Sequence, residues 1–258
     1  MTQRIIDAHI HLDMYSDEAR EQILKELETF HIDHLISVSN HATSARTNLK
    51  LAHQDQRVKP AIGFHPEQEL PNEQELQQLF SLIDRHKENI TAIGEVGLPY
   101  YLRKEDPSLN LQPYMDLLES FVQLAVKLNK PLILHAIYED ADLACDVLEN
   151  YDFHKAHFHW FKGSSPTIQR MINNQYFISV TPDCLYESEI QQLIKEYPLR
   201  LMMVETDGPW PFEGVFKDEL THPKMIHKSV VTISKVKGMA LDEVHYQLYQ
   251  NTIRFFGD

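Results

Sequence analysis

Two histidines separated by one residue, His9 and His11, lie directly after the short apolar run 5–8. A run of this kind is typical of a buried β-strand. Because strand side chains alternate between two faces, both imidazoles point to the same side and can reach one cation. The alternative is an inward polar pair that is satisfied by water or by the backbone.

Further ionisable residues follow other apolar runs. Glu95 comes after the run 90–93 between two glycines, and His135 closes the run 131–134. A buried carboxylate needs a counter-charge, which an arginine or a metal ion could supply. Its two oxygens can bridge two cations, which one imidazole cannot do. Taken alone, His135 fits a core histidine better than a metal ligand.

Spacing leaves two choices open. His157 and His159 share strand parity, so either imidazole could reach a site at the end of their strand. Glu205 and Asp207 also share parity, and one could be ligand and base while the other caps or orients. A turn aspartate or a helix-capping carboxylate is the alternative for this second pair.

These positions supply roughly four imidazoles and two carboxylates, a nitrogen and oxygen donor set that suits divalent ions such as Zn²⁺, Mn²⁺, Ni²⁺ or Mg²⁺. A lone catalytic Zn²⁺ needs only about three of these ligands. The surplus favours two ions about 3.5–4 Å apart, which would activate a water and clamp the attacking and leaving oxygens of a displacement. The donor set therefore predicts a metal-dependent hydrolase.

Eight short apolar runs, each followed by a helical pattern, would have to position these residues. Alternation of strand and helix predicts a parallel sheet, and eight units in about 250 residues indicate a single (β/α)₈ barrel. Its active site is expected at the carboxyl-terminal strand ends, six of which carry His, Glu or Asp. An open doubly wound sheet would want a glycine-rich turn after the first strand, which this chain lacks. The predicted strands are 5–8, 35–38, 58–62, 90–93, 132–134, 156–158, 176–180 and 201–204.

Composition restricts the class of protein. The 258 residues have a formal net charge of −14, which argues against a protein that grips nucleic acid by diffuse basic attraction. Cys145 and Cys184 form no disulfide framework and are expected to be reduced, and no signal peptide or membrane span is evident. The expectation is one cytoplasmic domain, residues 1–258. The proline-containing stretches 66–71, 99–113 and 209–223 are expected to be long loops.

Six motifs in order resemble the TatD-related metal-dependent hydrolases, which are similar to amidohydrolase-type barrels. They span residues 5–210, most of the chain, and are centred on the following segments: 5–11, 63–66, 92–101, 130–135, 159–164 and 205–209. The resemblance implies hydrolysis of phosphodiesters, often in DNA, at a centre of one or two metal ions.

The resemblance also implies a role for each site residue. His9 and His11 would hold one ion, His135 and His159 a second, and Glu95 would bridge the two. Asp207 would be ligand and proton acceptor for the attacking water, so that Asp207 and Glu95 are the catalytic candidates. The motif selects His159 over His157, and it places His65 in the pocket against substrate.

Three positions depart from the family's usual pattern. Pro99 replaces an aspartate, Ile137 replaces an arginine, and 221–223 lies where an Arg-Asn-x-Pro motif is usual. The missing arginines are natural phosphate partners, which Lys162 or Lys104 could replace. The metal ligands are complete while the phosphate-binding residues are altered. The alternatives are therefore an amide or lactone substrate at the same centre, or a metal-binding barrel without turnover.

Aromatic residues are expected in loops over the barrel mouth, namely Tyr100, Tyr101, Trp160 and Trp210. They could stack on a base or another ring, or pack on a neighbouring helix. His65, Tyr100 and Trp160 are the candidates for substrate contact. Cys184 could reach the pocket but is expected to be a small buried hydrophobe. The other histidines are interpreted as solvated surface: His31, His34, His41, His53, His86, His154, His222, His227 and His245.

Overall fold

The computed structural model describes residues 4–257, and eight strands run through it in chain order. Every neighbouring pair in this order is parallel. The predicted (β/α)₈ barrel is confirmed. The strands are Ile5–Ile10 (β1), Ile32–Ser37 (β2), Val58–Ile62 (β3), Ala92–Gly97 (β4), Leu132–His135 (β5), Ala156–Phe158 (β6), Phe177–Val180 (β7) and Met202–Val204 (β8).

Helices alternate with the strands and cover the outside of the barrel. Their apolar faces pack on the strands and form the larger part of the core. The helices are Asp17–Glu26 (α1), Ala42–Gln54 (α2), Glu73–His86 (α3), Tyr100–Glu105 (α4), Gln112–Leu128 (α5), Glu139–Asn150 (α6), Ser165–Asn173 (α7), Ser188–Glu196 (α8), Ile226–Lys237 (α9) and Leu241–Phe256 (α10). Within residues 4–257, none of these helices is both long and apolar enough to cross a membrane.

A seam between β8 and β1 closes the barrel at its carboxyl-terminal end. The N–H of Asp207 donates to the carbonyl of His9 over 2.9 Å. The buried carboxylate of Asp7 accepts the N–H of Thr206 over 2.9 Å and also its hydroxyl. Because chain segments about 200 residues apart in sequence meet here, the seam fixes His9 and Asp207 relative to each other.

A separate apolar cluster fills the interior at the amino-terminal end of the strands. Helix α10 closes this end, since Tyr249, Ile253 and Phe256 pack against the cluster. The cluster draws on five successive strands: Ile6, Ile36, Val38, Ala61, Ala92 and Ile133. The interior is therefore closed by apolar side chains at this end, and the predicted metal ligands lie toward the opposite end.

Strand β4 changes register inside the barrel. Its pairing with β5 shifts between Ile93 and Val96, and β1 shows a similar shift before its end. An irregularity of this kind reverses which later side chains face inward. Ala92 therefore packs in the interior cluster while Glu95, of opposite parity, also points inward.

Two strands have bounds that differ from the prediction, because polar residues or glycines interrupt their apolar patterns. The fourth strand is Ala92–Gly97 rather than 90–93, so Glu95 lies within it and not beyond its end. Glycines and a carboxylate interrupted the apolar pattern there. Strand β2 begins at Ile32 rather than 35 because its half-buried polar residues hid the start.

The stretch 99–113 is not a continuous loop, because it contains α4 and the start of α5. Tyr100 and Tyr101 therefore lie on a helix. The N–H groups of Tyr101 and Leu102 each donate over 2.8 Å to the carboxylate of Glu67. This cap comes from a residue more than 30 positions away, so the local sequence does not carry it.

Two of the histidines interpreted as solvated surface are buried, namely His222 and His245. His222 packs its ring on Phe30, and its Nδ1 accepts the N–H of Lys224 over 3.0 Å. Burial, followed by the charge of Lys224, lowers the pKa of His222 to about 4. Cys145 and Cys184 are also buried and form no disulfide, as expected.

Replacing His222 with asparagine should reduce the acid sensitivity of the fold. In the unfolded chain, His222 binds a proton below its ordinary pKa of 6.5. In the folded chain it stays neutral until the pH falls to about 4. Its contribution to stability is thus complete above pH 6.5 and is lost as the pH falls toward 4. Asparagine keeps an acceptor for the Lys224 N–H without titrating. We expect the Tm of H222N to fall less than that of wild type between these pH values. Parallel curves would show that His222 does not titrate in this way.

Candidate metal centre

The carboxyl-terminal ends of the strands bring the predicted metal ligands into one buried cluster. β1 contributes two of them, β4 and β5 one each, and the segments after β6 and β8 the remaining two. Each is at most 9% exposed. The six residues are His9, His11, Glu95, His135, His159 and Asp207.

Three of these side chains converge on one carboxylate oxygen of Glu95, which gives four possible ligand atoms. Glu95 Oε2 lies 3.2 Å from His9 Nε2 and 3.4 Å from His11 Nε2. Asp207 Oδ1 lies 3.4 and 3.5 Å from the same two nitrogens, which are 3.4 Å apart. Four ligands at about 2.1 Å around a tetrahedral Zn²⁺ are about 3.4 Å from one another. The spacing of these atoms fits a single cation among them.

The other oxygen of Glu95 faces a second set of imidazoles. Glu95 Oε1 lies 2.7 Å from His159 Nε2, 3.1 Å from His135 Nδ1 and 3.5 Å from His65 Nε2. His135 Nδ1 and His159 Nε2 are 3.3 Å apart. Each carboxylate oxygen of Glu95 therefore addresses a different group of nitrogen donors.

Three overlapping groups of side chains have the spacing of a metal site. Two share His9, one with His11 and Glu95 and the other with His159 and Asp207. The third joins His65 with Glu95 and His135. The geometry thus adds His65, which the sequence placed against substrate, to the residues that could hold an ion.

The polar atoms of the cluster lack hydrogen-bond donors. Both oxygens of Glu95 and Oδ1 of Asp207 are buried and accept no hydrogen bond from the described residues. Buried carboxylates without partners are strongly unfavourable. Divalent cations would supply the missing positive charge, and a set of imidazoles and carboxylates without thiolate suits them. The residues present fit the metal ions that the sequence predicts.

Electrostatics keep these carboxylates ionised. Burial raises the pKa of Glu95, but the facing imidazoles of His159, His65 and His9 outweigh it and hold that pKa well below its usual range. Burial also raises the pKa of Asp207, but the neighbouring rings of His11, His159 and His9 together outweigh it and lower that pKa. Burial lowers the pKa of His65 to about 4, so its ring is neutral at pH 7. Ionised carboxylates and neutral imidazoles are the forms that bind metal.

The structure separates the two histidines that share parity. His159 lies in the cluster and stacks on His9, with ring centroids 3.8 Å apart. His157 lies deeper in the barrel, where its Nε2 is 2.5 Å from the hydroxyl of Ser179 and its ring packs on Phe255. Burial lowers the pKa of His157 well below its usual range.

Glu205 and Asp207 are separated in the same manner. Asp207 reaches the cluster, whereas Glu205 accepts the hydroxyl of Ser179 over 2.5 Å and the N–H of Trp160 over 2.8 Å. Glu205 Oε1 also lies 3.7 Å from His159 Nδ1. Its carboxylate thus fixes the segment that carries His159 and Trp160.

Glycine is required where β4 passes β5. Gly97 has a φ of +155°, and a Cβ there would lie 1.9 Å from the carbonyl oxygen of His135. Any side chain would therefore push apart the strands that carry Glu95 and His135.

Glu67 is a residue that the sequence analysis did not single out. Its Oε1 lies 3.2 Å from His135 Nε2, while Nδ1 of the same ring faces Glu95. A carboxylate on one ring nitrogen fixes the tautomer and leaves the other nitrogen free for a metal. The only signal in the sequence was its position two residues after His65.

A cavity of about 750 Å³ opens above the cluster. His65, Tyr101, Trp160 and Trp210 line it, as does Lys162. Tyr100 and Lys104 are not among the lining residues. Tyr100 instead packs on Tyr101 and Tyr138, and Lys104 lies over the Tyr100 ring.

Two contacts hold the backbone of Trp160 at a φ of +41°, which aromatic residues rarely adopt. Its N–H donates to Glu205, and its indole Nε1 donates to Asp183 over 2.9 Å. Unusual backbone held in place by buried partners is typical of functional positions.

Substituting Glu67 with glutamine should weaken metal binding on the His135 side of the cluster. Loss of such an outer carboxylate typically costs about 10- to 100-fold in metal affinity. Titration with Co²⁺, followed by its visible absorption, measures this affinity without turnover. Glu69→Gln is the matched control, because Glu69 is exposed in the same loop. Equal Co²⁺ affinities in wild type and E67Q would contradict the role of Glu67.

Comparison with known proteins agrees with this geometry. The profile of the family "TatD related DNase" matches residues 6–257. An uncharacterized metal-dependent hydrolase of Haemophilus influenzae is 37% identical over 254 residues, which cover 98% of this chain and 99% of that protein. The human deoxyribonuclease TATDN3 is 27% identical over 261 residues, which cover 98% and 94%.

A solved structure extends the likeness to three dimensions. The crystal structure of YjjV, a TatD homologue from Escherichia coli, superposes with a TM-score of 0.89 at 26% identity and covers 100% of both chains. The resemblance drawn from the motifs is confirmed. The chain belongs to the TatD-related DNase family and is a metal-dependent hydrolase.

Proposed function

We propose that this protein hydrolyses phosphodiester bonds, in DNA or in a smaller nucleotide-like substrate, with two divalent ions held by the buried cluster. The observation that carries the proposal is the position of Glu95, whose two oxygens face two separate groups of imidazoles. Zn²⁺, Mn²⁺, Ni²⁺ and Mg²⁺ all remain candidates. The name of the human relative, a deoxyribonuclease, supports a phosphodiester as substrate.

Each ligand has an assigned place in this proposal. His9, His11 and Asp207 would hold one ion, His135 and His159 would hold the other, and Glu95 would be shared between them. His65 lies close enough to Glu95 to join the second group. Divalent ions bound there would acidify a water molecule and neutralise charge on the phosphoryl oxygens.

Asp207 accepts the proton of the attacking water at its carboxylate. The residue is buried beside His9 and His11, and its lowered pKa keeps it in the ionised form that can take up a proton. Its backbone, with a φ of +52°, is anchored by the hydrogen bond to the His9 carbonyl. The carboxylate therefore keeps its orientation toward the cluster.

The wall of the cavity positions the substrate. The indole of Trp160 is fixed by Asp183, and Glu205 and Glu67 fix the backbone of Trp160 and Tyr101 at the cavity wall. His65 lines the same cavity. These side chains are the proposed substrate contacts, with Tyr101 taking the place that the sequence gave to Tyr100.

An amide or lactone substrate is the second candidate. Ile137 is fully buried where the family usually has an arginine, and none of the described residues lining the cavity is an arginine. A neutral carbonyl substrate would not need one. Parallel assays with a phosphodiester, a phosphomonoester, a lactone and an amide decide between the two, and stable metal binding without any turnover would favour a non-catalytic barrel.

Replacing Asp207 with asparagine should abolish turnover while the fold is retained. Loss of a positioned proton acceptor typically lowers rates by about 10²–10⁴-fold. The assay is hydrolysis of bis(4-nitrophenyl) phosphate after loading with Mn²⁺, together with circular dichroism. Asp218→Asn serves as control, because Asp218 is exposed and asparagine tolerates its φ of +64°. Undiminished activity of D207N would remove Asp207 from the reaction.

A further inference from the structure

The rim of the cavity is acidic. Beyond the metal-ligand cluster, four carboxylates line its wall and mouth: Glu67, Asp183, Glu187 and Glu213. Glu187 and Glu213 are exposed at the outer edge, on the segments that follow β7 and β8. The two segments are in contact, since the N–H of Glu213 donates to the hydroxyl of Tyr186, the residue before Glu187.

Little positive charge balances these carboxylates. Lys162 is the single lysine among the described lining residues, and its ammonium lies 4.6 Å from the centre of the Trp160 ring. His41 also lines the cavity, and its Nδ1 accepts the N–H of Ser44. Two divalent ions would exceed the charge of the ligand carboxylates Glu95 and Asp207 by two, and this excess would lie at the buried end of the cavity. Four further carboxylates against one lysine leave the wall beyond the ligands net negative.

A nucleic-acid polymer places additional phosphates on both sides of the bond that is cut. Proteins that bind such polymers meet those phosphates with lysine and arginine. Here the flanking phosphates would instead approach Glu187 and Glu213, in a chain whose formal net charge is already −14. Repulsion between these carboxylates and the flanking phosphates would slow the encounter of the polymer with the protein and weaken its binding.

The same wall favours a planar, uncharged group. Tyr101, Trp160, Tyr186, Trp210 and Phe212 all line the cavity. The rings of Tyr101 and Trp160 are nearly parallel, at 28°, with centroids 6.3 Å apart. Aromatic faces of this kind stack on bases and other flat rings independently of charge.

We propose that the substrate is a compact phosphoester with a planar ring and no phosphate beyond the one that is attacked, and that Glu187 and Glu213 exclude longer nucleic acids. This inference rests on the proposed function and specifies its substrate. Glu187 and Glu213 are specificity-determining residues in it, because they repel flanking phosphates and leave the reacting bond untouched.

The first test compares the same bond in two settings. Thymidylyl-thymidine contains one phosphodiester and no other phosphate, whereas a single-stranded thymidine decamer surrounds each bond with further phosphates. We expect kcat/KM of the metal-loaded protein to be at least about tenfold higher for the dinucleotide. Turnover of the decamer should rise with added salt, because salt screens the repulsion. A decamer that is cut equally well, or whose cleavage falls with salt as in ordinary nucleic-acid binding, overturns the proposal.

The second test reverses the rim charges. The double variant E187K/E213K should cut the decamer roughly tenfold faster than wild type and cut the dinucleotide within about twofold of it. The control is E88K/E243K, which makes the same change in net charge at exposed positions outside this cavity. Equal decamer activity in wild type and E187K/E213K overturns the assigned role of the rim.

A binding measurement separates failure of this inference from failure of the proposed function. If the metal-loaded wild-type protein cleaves neither the dinucleotide nor bis(4-nitrophenyl) phosphate, phosphodiester hydrolysis itself is refuted. Fluorescence anisotropy of a labelled decamer does not depend on turnover. It should show saturable binding to E187K/E213K at low salt and none to wild type or E88K/E243K. Tight binding of the decamer to wild type contradicts the exclusion of polymers.

Discussion

The structure depends on one buried carboxylate. Glu95 is fully buried, receives no hydrogen bond from the described residues and is surrounded by imidazoles on both of its oxygens. Such a group is stable only if positive charge is close to each oxygen. Cations on both sides would meet that requirement and would leave the surrounding imidazoles neutral. The chemistry of a hydrolase thus follows from the demand that this one residue be neutralised.

Much of the local architecture can be understood as placing Glu95 and its partners. The register shift in β4 turns Glu95 inward although Ala92 is inward too, and Gly97 lets β4 come close to His135. The Asp7–Thr206 seam sets the distance between the two ends of the chain that supply His9 and Asp207. Carboxylates outside the cluster then hold the ligands, Glu67 through His135 and Glu205 through the segment of His159.

The barrel and the six cluster residues could be predicted from the sequence because their signals are local. Short apolar runs, helical periodicity and polar residues after each run require no knowledge of distant contacts. The choice of His159 over His157 needed the family motif, since both have the same strand parity. The structure gives the physical reason for this choice: His157 lies deeper in the barrel, and its Nε2 is hydrogen-bonded to the hydroxyl of Ser179.

Other features depend on tertiary contacts and could not be predicted from the sequence. Helix α4 is capped by Glu67 from another loop, and the burial of His222 depends on the distant Phe30. The aromatic wall was anticipated, but the identity of the lining tyrosine was not, since helix α4 presents Tyr101 and not Tyr100 to the cavity. The acidic rim combines segments that follow β7 and β8 and emerges only when the barrel is assembled.

An anomalous difference map of crystals grown with Zn²⁺ or Mn²⁺ tests the central claim most directly, because it shows both the number of ions and the atoms that hold them. We expect two peaks, one beside each carboxylate oxygen of Glu95, with imidazole nitrogens around both. A fully loaded crystal with no peak at Glu95, or with ions only elsewhere on the barrel, would contradict it.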